Sequence, residues 1–331
     1  MSTPPTENTL SGPGEPDLLS VVIPNWNGAH HLRTCLDALA RQTHTEIEVI
    51  AVDNASHDES QALISGEYPW VKLIVLPENR GFTGACNAGM IAARGEFIAL
   101  LNNDTEVDVS WAATVVAAFG RNPQIGSVAS KMLLFDRRDH IHTTGDFFTL
   151  DGRAGNRGVW ERDTGQYDQE AEVFSACGGS SAYRRAMLAE IGLLDDDFFF
   201  SGEDVDLGWR AQLRGWRCLY TPQAIVYHHL AATGGGVTAS YYDGRNLIFI
   251  LVKNYPAALW RKHGSAVLSA QRRLAWEALR AWRGEAARAR LRGMVAGIVG
   301  IPRMWPKRRA IQAGCRVSSA YLESILTPPQ S

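Results

Sequence analysis

Three acids fall within four positions at Glu203-Asp204-Val205-Asp206, directly after the aromatic run Phe198-Phe199-Phe200 and before Leu207-Gly208-Trp209-Arg210. Acids in a first helical turn complement the helix dipole, but one or two suffice for that. A hydroxyl that attacks an electrophilic carbon needs a carboxylate base within hydrogen-bond reach and shielded from water, and flanking aromatics supply such a shield. Asp204 is the expected base, Glu203 its alternative or a group that orients the nucleophile, and Asp206 a structural acid.

A second constellation, Leu100-Leu101-Asn102-Asn103-Asp104, sets one carboxylate and two amides behind an apolar run. Mg²⁺ and Mn²⁺ commonly bind through one or two carboxylates plus substrate phosphates, which makes Asp104 the first choice of ligand. The competing reading is an Asx turn that caps a helix near Val109. Ile225-Val226-Tyr227-His228 reads as a strand, so alternation sends His228 and His229 to opposite faces and one of them into such a site. Asn102 stands where a second acid would be wanted, so an imidazole ligand is chemically welcome.

These residues need a scaffold that brings them together. Ser20–Pro24, Glu48–Asp53, Lys72–Leu76 and Phe97–Leu101 are apolar, β-branched runs with amphipathic stretches between them, which predicts a parallel sheet covered on both faces. Three of the runs end in polar residues, Pro24-Asn25-Trp26-Asn27, Asp53-Asn54 and Asn102-Asn103-Asp104, and open α/β sheets bind ligands at such carboxyl ends. There Asp53 accepts hydrogen bonds from a nucleobase or joins Ser56 in capping a helix. Trp26 offers a stacking face or fills the core. The stretch from Glu78 to Gly89, with three glycines, Asn79, Asn87 and Arg80, is a helix start suited to phosphate or a plain tight turn.

From about residue 125 the pattern turns mixed. Short strands are expected at Ser127–Met132, Val173–Cys177, Arg217–Thr221 and Ala224–His228, with a mobile loop over Asp136–Asp168. Beyond Tyr255 the chain reads as helical and basic, broken by Pro302 and Pro306. The organisation expected is a disordered tail over 1–18, a domain over 19–254 divided into halves 19–124 and 125–254, and a basic amphipathic extension over 255–331.

Composition narrows the function classes. With 331 residues and 45% apolar content the chain can bury a full core. Five scattered cysteines, without a CxxC pair, exclude a disulfide framework and fit a reducing cytosol. The polar first 18 residues do not read as a signal peptide, and no run of 18 apolar residues exists to cross a bilayer. Residues 255–331 hold 14 of the 33 Lys and Arg but 3 of the 35 Asp and Glu, so the tail carries +11 and the rest −13. In 273–283, Ala275, Leu279 and Trp282 share one helical face, and Arg273, Glu277 and Arg280 another. That pattern suits the anionic inner face of a cell membrane, with packing on the domain or homodimerisation as rivals. No nucleic-acid-binding motif accompanies the charge.

Taken in order, Val22-Ile23-Pro24-Asn25-Trp26-Asn27, Val52-Asp53-Asn54-Ala55-Ser56, Asn79-Arg80-Gly81-Phe82, Asn102-Asn103-Asp104, Gly202-Glu203-Asp204-Val205-Asp206 and Val226-Tyr227-His228 resemble glycosyltransferase family 2, inverting enzymes of GT-A fold. The resemblance spans about residues 19–254 and looks most like the bacterial rhamnosyltransferase subgroup of cell-wall and surface-polysaccharide assembly. It implies a GT-A, Rossmann-like α/β fold with a mixed, mainly parallel sheet. It implies a nucleoside-diphosphate sugar donor, contacted by Pro24, Trp26, Asn27, Asp53, Asn79, Gly81, Asn87, Asn102 and Asn103. Mg²⁺ or Mn²⁺ would be held by Asp104 and His228, Asp204 would be the base, and Gly178, Gly179, Trp209 and Arg245 would line a saccharide or polyprenyl-diphosphate-linked acceptor. Asn102 departs from the family's DxD metal motif at its first acid. A sugar-nucleotide pyrophosphorylase would want a glycine-rich basic loop after the first strand, which Pro24-Asn25-Trp26-Asn27-Gly28 is not. An inactive carbohydrate-binding relative would have no reason to keep Asp104, Asp204 and His228 together.

Overall fold

The computed structural model describes residue 10, residues 12–229 and residues 236–329. The first half alternates strand and helix: β1 (Glu15–Asn25), α1 (Ala29–Ala40), β2 (Ile47–Asp53), α2 (Ser60–Glu67), β3 (Lys72–Val75), α3 (Gly81–Ala92) and β4 (Gly95–Leu101). A short β5 (Thr105–Val107), α4 (Trp111–Phe119) and the long β6 (Ile125–Leu134) follow. β7 (Ile141–Thr143), β8 (Asp146–Phe148), β9 (Ala154–Asn156), β10 (Ala171–Val173) and β11 (Ser180–Arg184) lead to α5 (Arg185–Ile191), α6 (Glu203–Arg214) and β12 (Arg217–His228). The chain ends in α7 (Gly236–Asn254), α8 (Ala257–Arg280), α9 (Glu285–Val299), α10 (Ile301–Ala313) and α11 (Ser319–Ile325).

The main sheet runs β10-β12-β6-β11-β4-β1-β2-β3, with β5 added beside β12 and β7 beside β6. β1, β2, β3 and β4 pair in parallel, β11 runs antiparallel between β4 and β6, β12 is parallel to β6, and β10 is antiparallel to β12. Six of the eight strands therefore point one way, and the expected mixed, mainly parallel sheet is the one observed.

Strand alternation explains the unbroken apolar runs. Leu19, Val21 and Ile23 of β1 pack with Leu32 and Leu36 of α1 and Trp111 and Val115 of α4 on one face. Val22 faces the other way, beside Ile50 and Leu100, under Met90 of α3, Met187 of α5 and Leu207 of α6. Both faces are buried, so a central strand has no polar side to show.

Several expectations shift. Residues 1–9 and 11 of the expected tail lie outside the described residues, but β1 starts at Glu15 and Leu18 is buried, so the sheet begins before Leu19. The two strands expected at 217–221 and 224–228 are one strand, β12, with a register shift between Thr221 and Ile225. The stretch expected as a mobile loop holds β7, β8 and β9. Pro302 sits in the first turn of α10, where its missing N–H costs nothing, and Pro306 lies inside that helix rather than ending it.

The basic extension packs onto the domain. Val267, Met304, Leu322 and Leu326 share one core with Phe148, Trp209, Phe249 and Tyr255. Trp282 lies in the turn after α8, not on its helical face.

Candidate active site

The carboxyl ends of β1, β2 and β4, the start of α6 and the end of β12 converge on one cleft of about 1170 Å³. That exceeds the ~300–1,000 Å³ of a site for one small ligand, so it has room for two substrates. On the side of β1–β3, Trp26 stands out at the rim, 54% exposed. Behind it, Asn27 is fixed in a left-handed conformation (φ 52°), its amide N–H donating to Ser56 Oγ (2.9 Å) and its Oδ1 accepting from the His57 N–H (2.8 Å). Asn54 donates to Asn79 Oδ1 and to the Gly81 carbonyl (3.0 Å each), and Asn79 accepts the Gly81 N–H. Gly81 is required: its φ is +72°, and a Cβ there would lie 2.4 Å from the Phe199 carbonyl oxygen. These contacts place Pro24, Trp26, Asn27, Asn79 and Gly81 on one wall.

At the end of β4, Asn103 donates to Asn25 Oδ1 (2.6 Å), and the Asn102 N–H donates to the Gly179 carbonyl (3.0 Å). Asp104 is buried, and its Oδ1 lies 3.1 Å from His228 Nε2. Its Oδ2 is buried without any hydrogen-bond partner. A buried carboxylate oxygen left unpaired costs about 1–3 kcal/mol or more, and a divalent cation would remove that cost. Among the described residues no group of three or more His, Cys, Asp and Glu side chains is arranged around one point. The set fits an ion that takes two protein ligands and completes its shell from a diphosphate and water. His228 is the imidazole of the pair, although both histidines line the cleft, because the strand ends at His228 and alternation no longer governs His229. The His229 ring instead stacks on Phe135 at 3.6 Å.

Opposite lies the acid loop. Phe199, Ser201 and Gly202 all have positive φ, a backbone that only strong outside support maintains. Asn246 of α7 supplies it by donating to the carbonyls of Phe198, Phe200 and Ser201, and Arg245 donates to those of Asp197 and Phe198. Helix α6 then opens with Glu203 and Asp204 facing the cleft. Asp204 Oδ2 accepts the Gly178 N–H (2.8 Å) and its Oδ1 the Val205 N–H (2.7 Å). Burial and the neighbouring charge of Asp204 push the Glu203 carboxyl up to about 8, and its Oε2 has no partner. Burial also raises Asp204, but two amide donors favour its charged form. Each carboxyl disfavours the other's charge, and the amides favour keeping it on Asp204.

Gly178 and Gly179 tie the two halves together. The N–H of one binds Asp204 and the carbonyl of the next binds the start of the Asn102-Asn103-Asp104 segment. Neighbouring Cα atoms are about 3.8 Å apart, so Asp204 and the start of the Asn102-Asn103-Asp104 segment are tied to adjacent residues of one backbone.

Residues 20–192 match the family model described as "Glycosyl transferase family 2", more than half of the chain. The chain belongs to glycosyltransferase family 2. It is 27% identical over 270 residues, 74% of this chain and 87% of the relative, to the N-acetylglucosaminyl-diphospho-decaprenol L-rhamnosyltransferase of Mycobacterium tuberculosis. It is 39% identical over 228 residues, 65% of this chain and 61% of the relative, to the succinoglycan biosynthesis protein ExoO of Rhizobium meliloti. In fold it is similar to GalNAc-T7, crystallised with UDP, GalNAc and Mn²⁺, at a TM-score of 0.60 and 19% identity over 75% of this chain and 48% of that one. The fold is of GT-A type, and the relatives are rhamnosyltransferase-like and other polysaccharide glycosyltransferases of bacteria.

Within this family 2 site five expected contacts, Asp53, Asn87, Asp104, Trp209 and Arg245, are absent from the cleft wall. Asp53 is fully buried behind it, its oxygens accepting from Asn25, the Ser56 N–H and Gln61, so turn building has claimed it and Asn54 lines the cleft instead. Asn87 clamps Leu194 and Asp196. Trp209 is core, edge-on to Phe148 and Phe174. Arg245 braces the acid loop rather than facing the cleft. The others named, Pro24, Trp26, Asn27, Asn79, Gly81, Asn102, Asn103, Gly178, Gly179, Glu203, Asp204 and His228, do line it, and Asp104 is buried behind His228, which it meets at 3.1 Å.

Among the cleft residues that escaped the sequence reading are His142, Asp146 and Asn156. All lie on the short strands hidden in the polar stretch 136–168, where Ile141-His142-Thr143 is too brief for alternation to register. Asp146 accepts from Asn156 (2.9 Å) and Ser175 (3.3 Å); burial, then the charge of Asp204, pushes it well above the carboxylate range. Burial and the neighbouring His228 push the His142 imidazole down to about 3, so it is neutral.

Proposed function

We propose that this glycosyltransferase is inverting and cation-dependent, moving a sugar, rhamnose by its relatives, from a nucleoside diphosphate to a hydroxyl of a saccharide or polyprenyl-diphosphate-linked acceptor in cell-wall or surface-polysaccharide synthesis. The observation that carries the reading is the Gly178-Gly179 link, which sets Asp204 against the Asn102-Asn103-Asp104 segment across one cleft. Asp204 takes the proton of the acceptor hydroxyl, whose oxygen bonds to the anomeric carbon as the carbon–oxygen bond to the diphosphate breaks on the far side. One such displacement inverts the configuration. Asp104 and His228 would hold Mg²⁺ or Mn²⁺, which supplies positive charge against the departing diphosphate. Trp26 offers its exposed face to the base of the donor.

A donor present at 100 times its dissociation constant stabilises the folded chain by ~2.7 kcal/mol. A panel of UDP and dTDP sugars with Mn²⁺ is therefore expected to raise the melting temperature with at least one donor. Transfer from that donor should give a glycoside of opposite anomeric configuration by NMR. A panel without a shift and without transfer would sink the reading.

Peripheral contact with an anionic membrane is supported by the surface of α8. Among the described residues no helix is long and apolar enough to cross a bilayer. The side of α8 opposite its packed face exposes Leu268, Trp276 and Leu279 with Arg272, and Trp282 and Arg283 continue it into the next turn. Leu274, on the packed side of the same helix, lines the cleft. Full-length protein is expected to float with phosphatidylglycerol vesicles, and the combined Trp276→Ser, Leu279→Ser, Trp282→Ser variant to stay behind. Equal flotation of the two would remove the stripe as the contact.

A further inference from the structure

Next to the candidate cation ligands lies a side chain that the reaction as described does not use. His142, on β7, packs its ring against His228 with centroids 4.8 Å apart and planes inclined by 27°. The two Nδ1 atoms are 3.0 Å apart, while His228 Nε2 faces Asp104 Oδ1 at 3.1 Å. β6 carries both strands, pairing with β7 at Met132 and Leu133 and with β12 through Leu134, so the contact belongs to the sheet and not to a loose loop.

A contact between two ring nitrogens holds one hydrogen, so one ring donates and the other accepts. Two arrangements give each ring of the chain Asp104, His228, His142 one hydrogen, and only the first also bonds Asp104; the second leaves Asp104 Oδ1 and Nε2 as two acceptors for a cation. In the first, His228 Nε2–H donates to Asp104 and His142 Nδ1–H donates to His228. In the second, Nε2 presents a lone pair, Nδ1–H donates to His142, and His142 carries its hydrogen on Nε2. Each arrangement has one hydrogen per ring, so passing between them changes no net charge. A ligand must present a lone pair, so only the second allows His228 to bind a cation beside Asp104. Ligand imidazoles are usually held in the required tautomer by an acceptor on their other nitrogen, commonly a carboxylate or a carbonyl. At His228 the group in that place is an imidazole.

We propose that His142 is a positioning residue for the cation site: it accepts the Nδ1 hydrogen of His228 and so fixes the Nε2 lone pair, with Asp104, toward Mg²⁺ or Mn²⁺. This rests on the reading of Asp104 and His228 as cation ligands. Loss of such a partner typically weakens metal binding by about 10- to 100-fold. His142→Phe keeps the ring and removes the acceptor; His142→Asn places an amide oxygen near the position of Nδ1. Free Mn²⁺ measured by electron paramagnetic resonance, in a titration of protein with UDP, is expected to show binding weakened about 10- to 100-fold in H142F and largely restored in H142N. Equal affinity of H142F and wild type, or equal loss in both variants, overturns the proposal. Wild type that takes up no Mn²⁺ with UDP overturns the ligand reading beneath it, whereas bound Mn²⁺ without sugar transfer touches only the proposed reaction. Histidine-labelled wild type with Mg²⁺ and UDP gives a second readout, free of any folding defect in a variant: nitrogen shifts should report His228 as the Nδ1–H tautomer, and a persistent Nε2–H signal overturns the proposal.

Discussion

Asp204→Asn is expected to lower kcat by ~10²–10⁴-fold, about 3–5 kcal/mol of barrier, with donor affinity unchanged. None of Trp26, Asn27, Asn79 and Gly81, the proposed donor contacts, is a hydrogen-bond partner of Asp204, so the loss should fall on turnover and leave the donor's dissociation constant alone. Both Asp204 oxygens accept a backbone N–H, from Gly178 and Val205, and an asparagine can accept with only one. Some stability should therefore be lost too, about 1–3 kcal/mol for the donor left unpaired, which a denaturation curve separates from the kinetic effect. Glu203→Gln is the informative partner. With a carboxyl at about 8, Glu203 is protonated at neutral pH and already resembles a glutamine in charge. Its replacement should cost far less turnover at pH 7. The folded chain holds that proton up to about 8, whereas an unfolded glutamate releases it near 4.5. Stability then falls as pH rises between those values, and E203Q should flatten the fall. A large kcat loss in E203Q beside a mild one in D204N would move the base to Glu203.

Which parts of this could be read from sequence follows from how each residue is held. The half built from β1 to β4 was legible because both faces of the sheet are buried, which leaves unbroken apolar runs that stop where polar loop residues begin. Asp104, Asp204 and His228 stood out as candidates because a carboxylate or imidazole directly after such a run, or at a helix start, has few roles to choose from. Asp53 was misjudged for the same reason: its place after β2 suits a ligand contact and a turn equally, and only the fold reveals that Asn25, Ser56 and Gln61 occupy its oxygens. Trp209 and Arg245 show the limit of reasoning by neighbourhood. One lies a turn and a half beyond Asp204 on α6 and points into the core; the other sits on α7 and spends its guanidinium on loop carbonyls. His142 and Asp146 reach the cleft on three-residue strands, whose pairing depends on β6 and on Ser175, far away in the chain.

Asp206→Ala is expected to destabilise the chain by about 3–5 kcal/mol, the largest structural effect among these substitutions. Asp206 is fully buried two residues after Asp204, and its oxygens accept from Arg210 Nε (3.0 Å), Lys253 Nζ (2.9 Å) and Asn254 Nδ2 (2.7 Å). Burial works against its ionisation, but Lys253 and then Arg210 overcome that and hold the carboxyl below its usual range. Lys253 also meets Asp195, which meets Lys307 of α10, and Lys307 meets Asp197 ahead of the acid loop. The alternating charges thus fasten α6, α7 and α10 behind the base. Removing Asp206 leaves Arg210 with backbone carbonyls and Lys253 with Asp195 among the described residues, so the penalty is that of undercompensated buried charge rather than of one lost hydrogen bond. Denaturant midpoints should fall sharply for D206A. The gap to wild type should begin to narrow as pH falls below 3.8, where an unfolded aspartate takes up its proton, and close only below the lowered value of the folded carboxyl, where the wild-type chain loses the same charge. Replacing Asp206 and Lys253 together by apolar residues of similar volume should recover much of the loss. If D206A melts like wild type, the network does not brace the acid loop, and the positive φ values of Phe199, Ser201 and Gly202 must be held by Asn246 and Arg245 alone.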